Sequence, residues 1–289
     1  MQGLCRQSRK AAPGQEQLFW YIKFVPSPAA ARPHQMFSTS LANGLKLLAA
    51  FKVGEPALGN RELAERTGLS KASISRLTYT LGEMGFLKYD AQERRYRLGS
   101  ATLAAGYPLL GSLIAIRQVA RPFMRVLADA ARGSVSLGLR DRTNMVYVET
   151  CRGHEAIAFR PDIGGSMPIW ATAIGRAWLA GVDAGEREEA LRRIRAGHAG
   201  AWRAHRATVL AEVEAFGRRG FCLGRGQWQQ DVHAAGVPMR VPIDGETLVF
   251  NCGVPSVLLG ARTLEREIGP RLVRMVRDIE RAYLAEHGP

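Results

Sequence analysis

The stretch ELAERTGLSKASISRLTYTLGEMGFLKYD, residues 62–90, decides how the N-terminal third of the chain folds. Its opening, with Arg61, makes a short helix capped by Asn60, with Leu63 and Ala64 turned inward. Gly68 follows at the turn, where a left-handed backbone costs little only for Gly or Asn. Ser70 caps the next helix, KASISRLTYTLGEM. There Ile74, Leu77, Leu81 and Met84 recur at intervals of 3, 4 and 3 and share one buried face. The opposite face carries Ala72, Ser75, Arg76, Tyr79 and Glu83, with Lys71 on its shoulder. A short helix, a Gly turn and a capped helix with small, polar and basic outward residues form the helix-turn-helix pattern. Small side chains allow close approach to a major-groove floor. Arg76 has the reach for a guanine edge or a phosphate, and Lys71 for a phosphate. An ordinary helical hairpin with a solvated charged face is the alternative.

Working outward, Ser38 or Ser40 caps an upstream helix whose Leu41, Leu45, Leu48 and Phe51 make one buried stripe. Downstream, FLKYD and RYRLG alternate apolar and polar residues around AQER, which reads as a β-hairpin. A hairpin directly after a recognition helix is the wing of a winged helix. Arg94 and Arg95 sit at its tip with Arg97 nearby, a cluster suited to phosphate or minor-groove contact.

The charge agrees with this. The chain has 289 residues and a formal net charge of +14. More than half of that excess falls in the first hundred residues. A balance this basic points to a polyanion, nucleic acid before an anionic membrane surface. The composition excludes disorder, collagen and a disulfide miniprotein. Cys5, Cys151, Cys222 and Cys252 form no C-x-x-C pair, so reduced thiols are expected and no metal site. Cys151 with His154 lacks an orienting third group and makes a poor catalytic dyad. H-E-x-x-H, P-loop and G-x-S-x-G are all absent, so neither an enzyme nor a cofactor is indicated. Residues 98–116 carry no charge, but their Gly, Ser, Thr and Pro content argues for a linker and helix, not a membrane span. LFWYIKFV near the N-terminus is too short and too interrupted for a signal peptide, so the cytoplasm is the expected location. Residues 1–35 lack any period and read as a disordered arm, or as an overextended reading frame, because Met36 immediately precedes the first patterned helix.

The stretches LANGLKLLAAF, the segment 62–90 and YRLG resemble the winged-helix domain of the IclR-type transcriptional regulators. That family's recognition helix reads K-x-[ST]-x-x-R-L, and Lys71, Ser73, Arg76 and Leu77 stand at those positions. Ser75 and Tyr79 occupy variable ones, where specificity would differ between members.

After the linker comes a helix at about 112–132, interrupted or kinked by Pro122. Strand-like runs follow: SVSLGLR and NMVYVETC as a hairpin, then AIAFR. A Gly-rich loop feeds a helix at about 171–180. Two amphipathic helices come next, the second starting near Thr208 and ending at Gly220. Further strands are AAGVPMRVPI and TLVFNCGV, and a long helix capped by Thr263 closes the chain. The expectation is an α+β fold in two domains, with a mostly antiparallel sheet flanked by helices in the second. Its domains are a winged helix at 36–99, a linker at 100–116 and an effector-binding and oligomerisation domain at 117–289.

P-x-x-A-T-A-I-G-R-A-x-L-A at residues 168–180 resembles the same family's signature around its effector-pocket helix. GQWQQDVHAAGVPMRVP with VFNCGVP is similar to its second signature. The resemblance implies a GAF-like domain that binds a small organic effector and helps form dimers or tetramers. Read physically, Thr172, Ala173, Ile174 and Gly175 sit at a helix N-terminus, where free amides and the helix dipole favour an anion. A small organic acid, aromatic acids included, is the natural ligand. Trp170 and Trp228 would wall a ring, with plain core as their alternative. Gln227, Asp231, Asn251 and Cys252 complete the candidate pocket. By the resemblance an acidic residue often stands at Gln227, so effectors of better-known relatives do not transfer. Arg160 and Arg176 are expected on the surface, with holding a carboxylate as the alternative. The reading is a ligand-responsive regulator of a catabolic operon, binding double-stranded operator DNA as a homo-oligomer. A carboxylate-acting enzyme and a ligand-independent DNA-binding protein are the alternatives.

Overall fold

The computed structural model describes residues 36–52, 54–55, 57–153, 162–260 and 263–288. The arm 1–35 with Cys5, and His154, the AIAFR stretch and Arg160, lie outside the described residues. The chain divides into two compact units between Leu109 and Leu110.

In the first unit, α1 (Thr39–Leu48) starts at Ser38, whose hydroxyl accepts from the Leu41 amide at 3.4 Å. The expected Leu41–Leu45–Leu48–Phe51 stripe is only half right. Gly44, Leu47 and Phe51 are buried, whereas Leu41 is 63% and Leu45 58% exposed. Gly44 has no side chain, so α1 rolls toward it and packs on Leu77, whose Cδ2 lies 3.8 Å from where a Cβ would be. In α2 (Asn60–Thr67) the cap is Gly59, not Asn60, and Gly68 closes the helix in the left-handed region at φ 69°. α3 (Lys71–Glu83) starts at Ser70, which accepts from the Ser73 amide at 3.2 Å. Ile74 is fully buried on it, and Leu77 and Leu81 are half-buried. Met84, expected on the buried face, is the C-cap and is 61% exposed. Thr78 takes the fourth inward position and satisfies its hydroxyl by donating to the Ile74 carbonyl at 2.9 Å. Ile74, Leu77 and Leu81 close on Leu47, Phe51, Leu58, Leu63 and Leu87 as one core.

β1 (Leu87–Asp90) and β2 (Arg95–Leu98) form the expected antiparallel wing, with Asp90 opposite Arg95. At its tip, Asp90 Oδ1 accepts from the amides of Gln92 and Glu93, both at 3.1 Å. Within the stretch expected as linker, residues 100–112 form α4 (Ser100–Ser112).

The second unit opens with α5 (Ile114–Ala131), which runs through Pro122 as one helix. Then come β3 (Ser134–Asp141), β4 (Asn144–Arg152), β5 (Ser166–Pro168), a 3₁₀ turn (Ile169–Ala171), α6 (Ala173–Gly181), α7 (Ala184–Gly197) and α8 (Ala199–Arg219). β6 (Cys222–Arg225), β7 (Val232–Pro238), β8 (Val249–Pro255) and α9 (Gly269–His287) complete it. The six strands lie in the order β5-β4-β3-β8-β7-β6, all pairs antiparallel. Four expectations change, the first being β5 (Ser166–Pro168), which falls in the stretch expected as a Gly-rich loop. α8 begins at Ala199 instead of near Thr208. The short strand β6 is new; four residues with a Gly inside carry too little pattern to read. The last helix does not run unbroken from Thr263, because Leu264–Ile268 is a π turn and the Gly269 amide reaches back to the Leu264 carbonyl. Pro270 follows, with no amide to donate and a ring that displaces the preceding turn.

One sheet face packs on α5 and α9. Leu137, Val148, Phe250 and Cys252 meet Met124, Leu127, Leu272 and Val276 there. The other face carries α6 at close range. A Cβ at Gly236 would fall 2.5 Å from the Ala173 carbonyl oxygen, so no other residue fits beneath that helix. Among the described residues no single helix is long and apolar enough to cross a membrane; only α4 and α5 together, as a bent pair, reach that length and hydropathy.

Candidate nucleic-acid interface and ligand pocket

On α3, Lys71, Ala72, Ser75, Arg76 and Tyr79 are all exposed, Tyr79 at 70%. Ser73 is half-buried and its hydroxyl lies 3.0 Å from that of Ser70, so it shapes the start of the helix. On the wing, Arg94 is exposed and held in the left-handed region at φ 51°. Arg97 is exposed, 4.0 Å from Asp90.

Arg95 has a different partner from the phosphate expected for it. Its guanidinium grips the Glu62 carboxylate on α2. Glu62 also accepts from the Gly59 amide at 2.7 Å, closing the helix start. Arg95, and then that amide, hold the Glu62 carboxyl below its ordinary range. One acid thus caps α2 and pins the wing. Its sequence signal is an acid three residues after a helix cap, the capping-box spacing. Arg95→Met and Glu62→Gln are each expected to lower the thermal midpoint, with the double variant losing less than the sum of the two. Strictly additive losses would show that the pair does not act as a unit.

In the second unit a cavity of about 40 Å³ lies between the start of α6 and the sheet. Of the candidates, Thr172, Ala173, Ile174, Gln227, Trp228 and Asn251 line it. Tyr147 lines it too and was missed, although the alternation of NMVYVETC places it on the same face as Met145. As the first residues of α6, Ala173 and Ile174 present amides without intrahelical acceptors. The Thr172 hydroxyl is committed, donating to the Pro168 carbonyl at 2.8 Å and accepting from the Gly175 amide at 3.3 Å.

Four candidates lie elsewhere. Trp170 is buried in the 3₁₀ turn and packs on His198 with tilted rings, centroids 4.7 Å apart. Gly175 packs against the backbone of Ile169. Asp231 is exposed, and its carbonyl accepts from the Ser256 amide at 2.8 Å. Cys252 follows Asn251 on β8, and alternation turns it to the opposite sheet face, into the α5–α9 core. Burial there pushes its thiol up to about 12. Burial also raises the Cys151 thiol, whose Sγ donates to the Arg121 carbonyl at 3.7 Å, so neither cysteine is a thiolate nucleophile.

Arg176, expected on the surface, is fully buried. It donates to the Leu223 carbonyl at 2.7 Å, to the Trp170 carbonyl at 3.2 and 3.3 Å, and to Gln227 Oε1 at 3.3 Å. These acceptors are neutral, and desolvation lowers its pKa. The cavity rim therefore sits beside a positive charge held by dipoles.

A helix-turn-helix with a wing, in one chain with an antiparallel-sheet domain, is the architecture of a DNA-binding transcriptional regulator. Residues 40–91 match the IclR helix-turn-helix domain and residues 111–281 the bacterial transcriptional regulator IclR C-terminal domain; the chain belongs to the IclR family. Members of this family are transcriptional regulators, not enzymes. The chain is 33% identical over 253 residues to the HTH-type transcriptional regulator TsaQ1/TsaQ2 of Comamonas testosteroni, covering 86% of this chain and 90% of that one. The crystal structure of an IclR family regulator from Brucella abortus superposes with a TM-score of 0.75 at 39% identity, covering 90% and 98%. An IclR homolog from Microbacterium hydrocarbonoxydans, complexed with 4-hydroxybenzoate, shares the fold at a TM-score of 0.65 and 19% identity, covering 86% and 100%.

Proposed function

We propose that the chain regulates transcription by placing α3 in the major groove of an operator, with a small organic acid in the second domain setting its affinity. The observation that carries this is the exposed face of α3. Lys71, Ala72, Ser75, Arg76 and Tyr79 stand free for bases and phosphates, while Ile74 and Thr78 anchor the helix from behind. Arg94 and Arg97 on the wing take flanking phosphates, and Arg95 holds the wing in place. One recognition helix covers only a few base pairs, so a homodimer or homotetramer reads a palindromic site. In this reading the winged helix spans 36–99 and the effector domain 117–289. The protein works in the cytoplasm on a catabolic operon.

Support for an acid effector comes from the amides at the start of α6 and the buried cation of Arg176 beside them. The Microbacterium homolog holds 4-hydroxybenzoate in the same fold, and in this chain the reading rests on its own residues. At about 40 Å³ the cavity is far below the roughly 150 Å³ that admits a benzene ring, so a ring compound enters only with rearrangement of the lining.

Titration of operator binding against salt tests the DNA half. Log affinity is expected to fall linearly with log salt, and Arg94→Gln to reduce the slope by about 1. A flat response in the unsubstituted protein would remove phosphate contact by the wing.

A further inference from the structure

Asn251 is only 5% exposed, lines the cavity, and has no hydrogen-bond partner for its Oδ1 among the described residues. Its side chain lies beside the buried Tyr147 hydroxyl, which also has Ser136 as a neighbour, and Oδ1 is left to the cavity. A buried carbonyl oxygen without a donor is a costly arrangement for a folded protein to keep.

Other groups that line the cavity have the opposite polarity. Gln227 Oε1 accepts from the Arg225 amide at 2.7 Å and from Arg176 at 3.3 Å. Its acceptor is spent, so only its N–H donors remain for a ligand. With the amides of Ala173 and Ile174 they make a donor-rich set backed by the Arg176 charge. The cavity thus offers these donors together with an unsatisfied side-chain acceptor, Asn251 Oδ1.

We propose that the effector is a small hydroxy acid, or an acid bearing an N–H group, whose donor is accepted by Asn251 Oδ1 while its carboxylate meets the start of α6 and Gln227. The inference rests on the acid reading of the pocket and adds the requirement for a donor. A parent acid without the donor fills the same space and leaves Oδ1 unpaired. Discrimination against it is then the strong kind that a buried unpaired group imposes.

The test uses the full chain and isothermal titration with matched probes. These are benzoate with its three hydroxy isomers, propanoate with its 2- and 3-hydroxy derivatives, and the primary amides of all of them. At least one hydroxy acid is expected to bind roughly tenfold or more tighter than its parent acid. Asn251→Leu is expected to bring the hydroxy acid down to the affinity that the same variant shows for the parent acid, and Asn251→Ser to keep part of the preference, with the melting curve of each variant reporting its folding. Equal affinities across every wild-type pair, or a preference that survives in Asn251→Leu, would overturn the donor requirement and leave the acid reading standing. Primary amides binding as well as their acids would overturn the acid reading and leave the Asn251 contact standing. Binding by none of the probes would overturn both.

Discussion

Gly175→Ala is expected to destabilise the second unit by about 3 kcal/mol or more, because the new methyl has no space and its neighbours are backbone. A Cβ at Gly175 would lie 2.3 Å from the Ile169 Cα and carbonyl oxygen and 2.6 Å from its carbonyl carbon. Those atoms belong to the 3₁₀ turn that leads into α6, and the turn is itself tied down. The Trp170 carbonyl accepts twice from Arg176, and the Thr172 hydroxyl donates to the Pro168 carbonyl. Relief would need α6 to move away from the turn, but Gly236 already lets its start rest on the sheet without clearance. For a unit of this size the midpoint shift is roughly 6–12 °C. Gly217→Ala on α8 is the control, since nothing lies within 4 Å of its added methyl. There, better helix propensity should stabilise by roughly 0.5–1 kcal/mol. A Gly175→Ala midpoint equal to that of the unsubstituted protein would refute the close-packing account.

Arg76→Ala is expected to weaken operator binding by about 1–3 kcal/mol, roughly 5- to 150-fold, with no change in melting. Arg76 projects from the exposed face of α3, and no ion pair to it is found among the described residues. Its charge is therefore free for the ligand, unlike that of Arg95. Binding measured against operator variants separates two roles. Loss confined to one base position means a guanine edge; a uniform loss across sequences means a phosphate. Unchanged affinity would remove Arg76 from the interface.

Much of the first unit was legible because its signals are local. The Ser70 cap, the left-handed Gly68 and the β1–β2 hairpin each depend on a few adjacent residues, and the structure shows all three. The exposed face of α3 was equally readable, since a period of 3.6 fixes which residues share a side. The pocket was half legible. Ala173, Ile174 and Asn251 could be placed from a helix start and an interrupted apolar strand. Cys252 could not be separated from Asn251 without knowing which sheet face meets α6. Trp170 and Gly175 sit in the right motif, but they serve the turn beneath the helix and not the cavity.

By itself the sequence determined most of the elements, their order, the two-domain plan and the family. Periodicity, caps and turn residues act over a few positions of chain, and the local backbone must obey them. Only the tertiary structure decided which of several apolar stripes on α1 is buried, and whom each arginine meets. Arg95 meets Glu62 from a distant part of the chain, and Arg176 is enclosed by carbonyls from two other segments. An arginine reads alike in sequence whether it faces phosphate, carboxylate or a ring of dipoles. Its role follows from the acceptors that folding brings within reach, and no spacing along the chain encodes them.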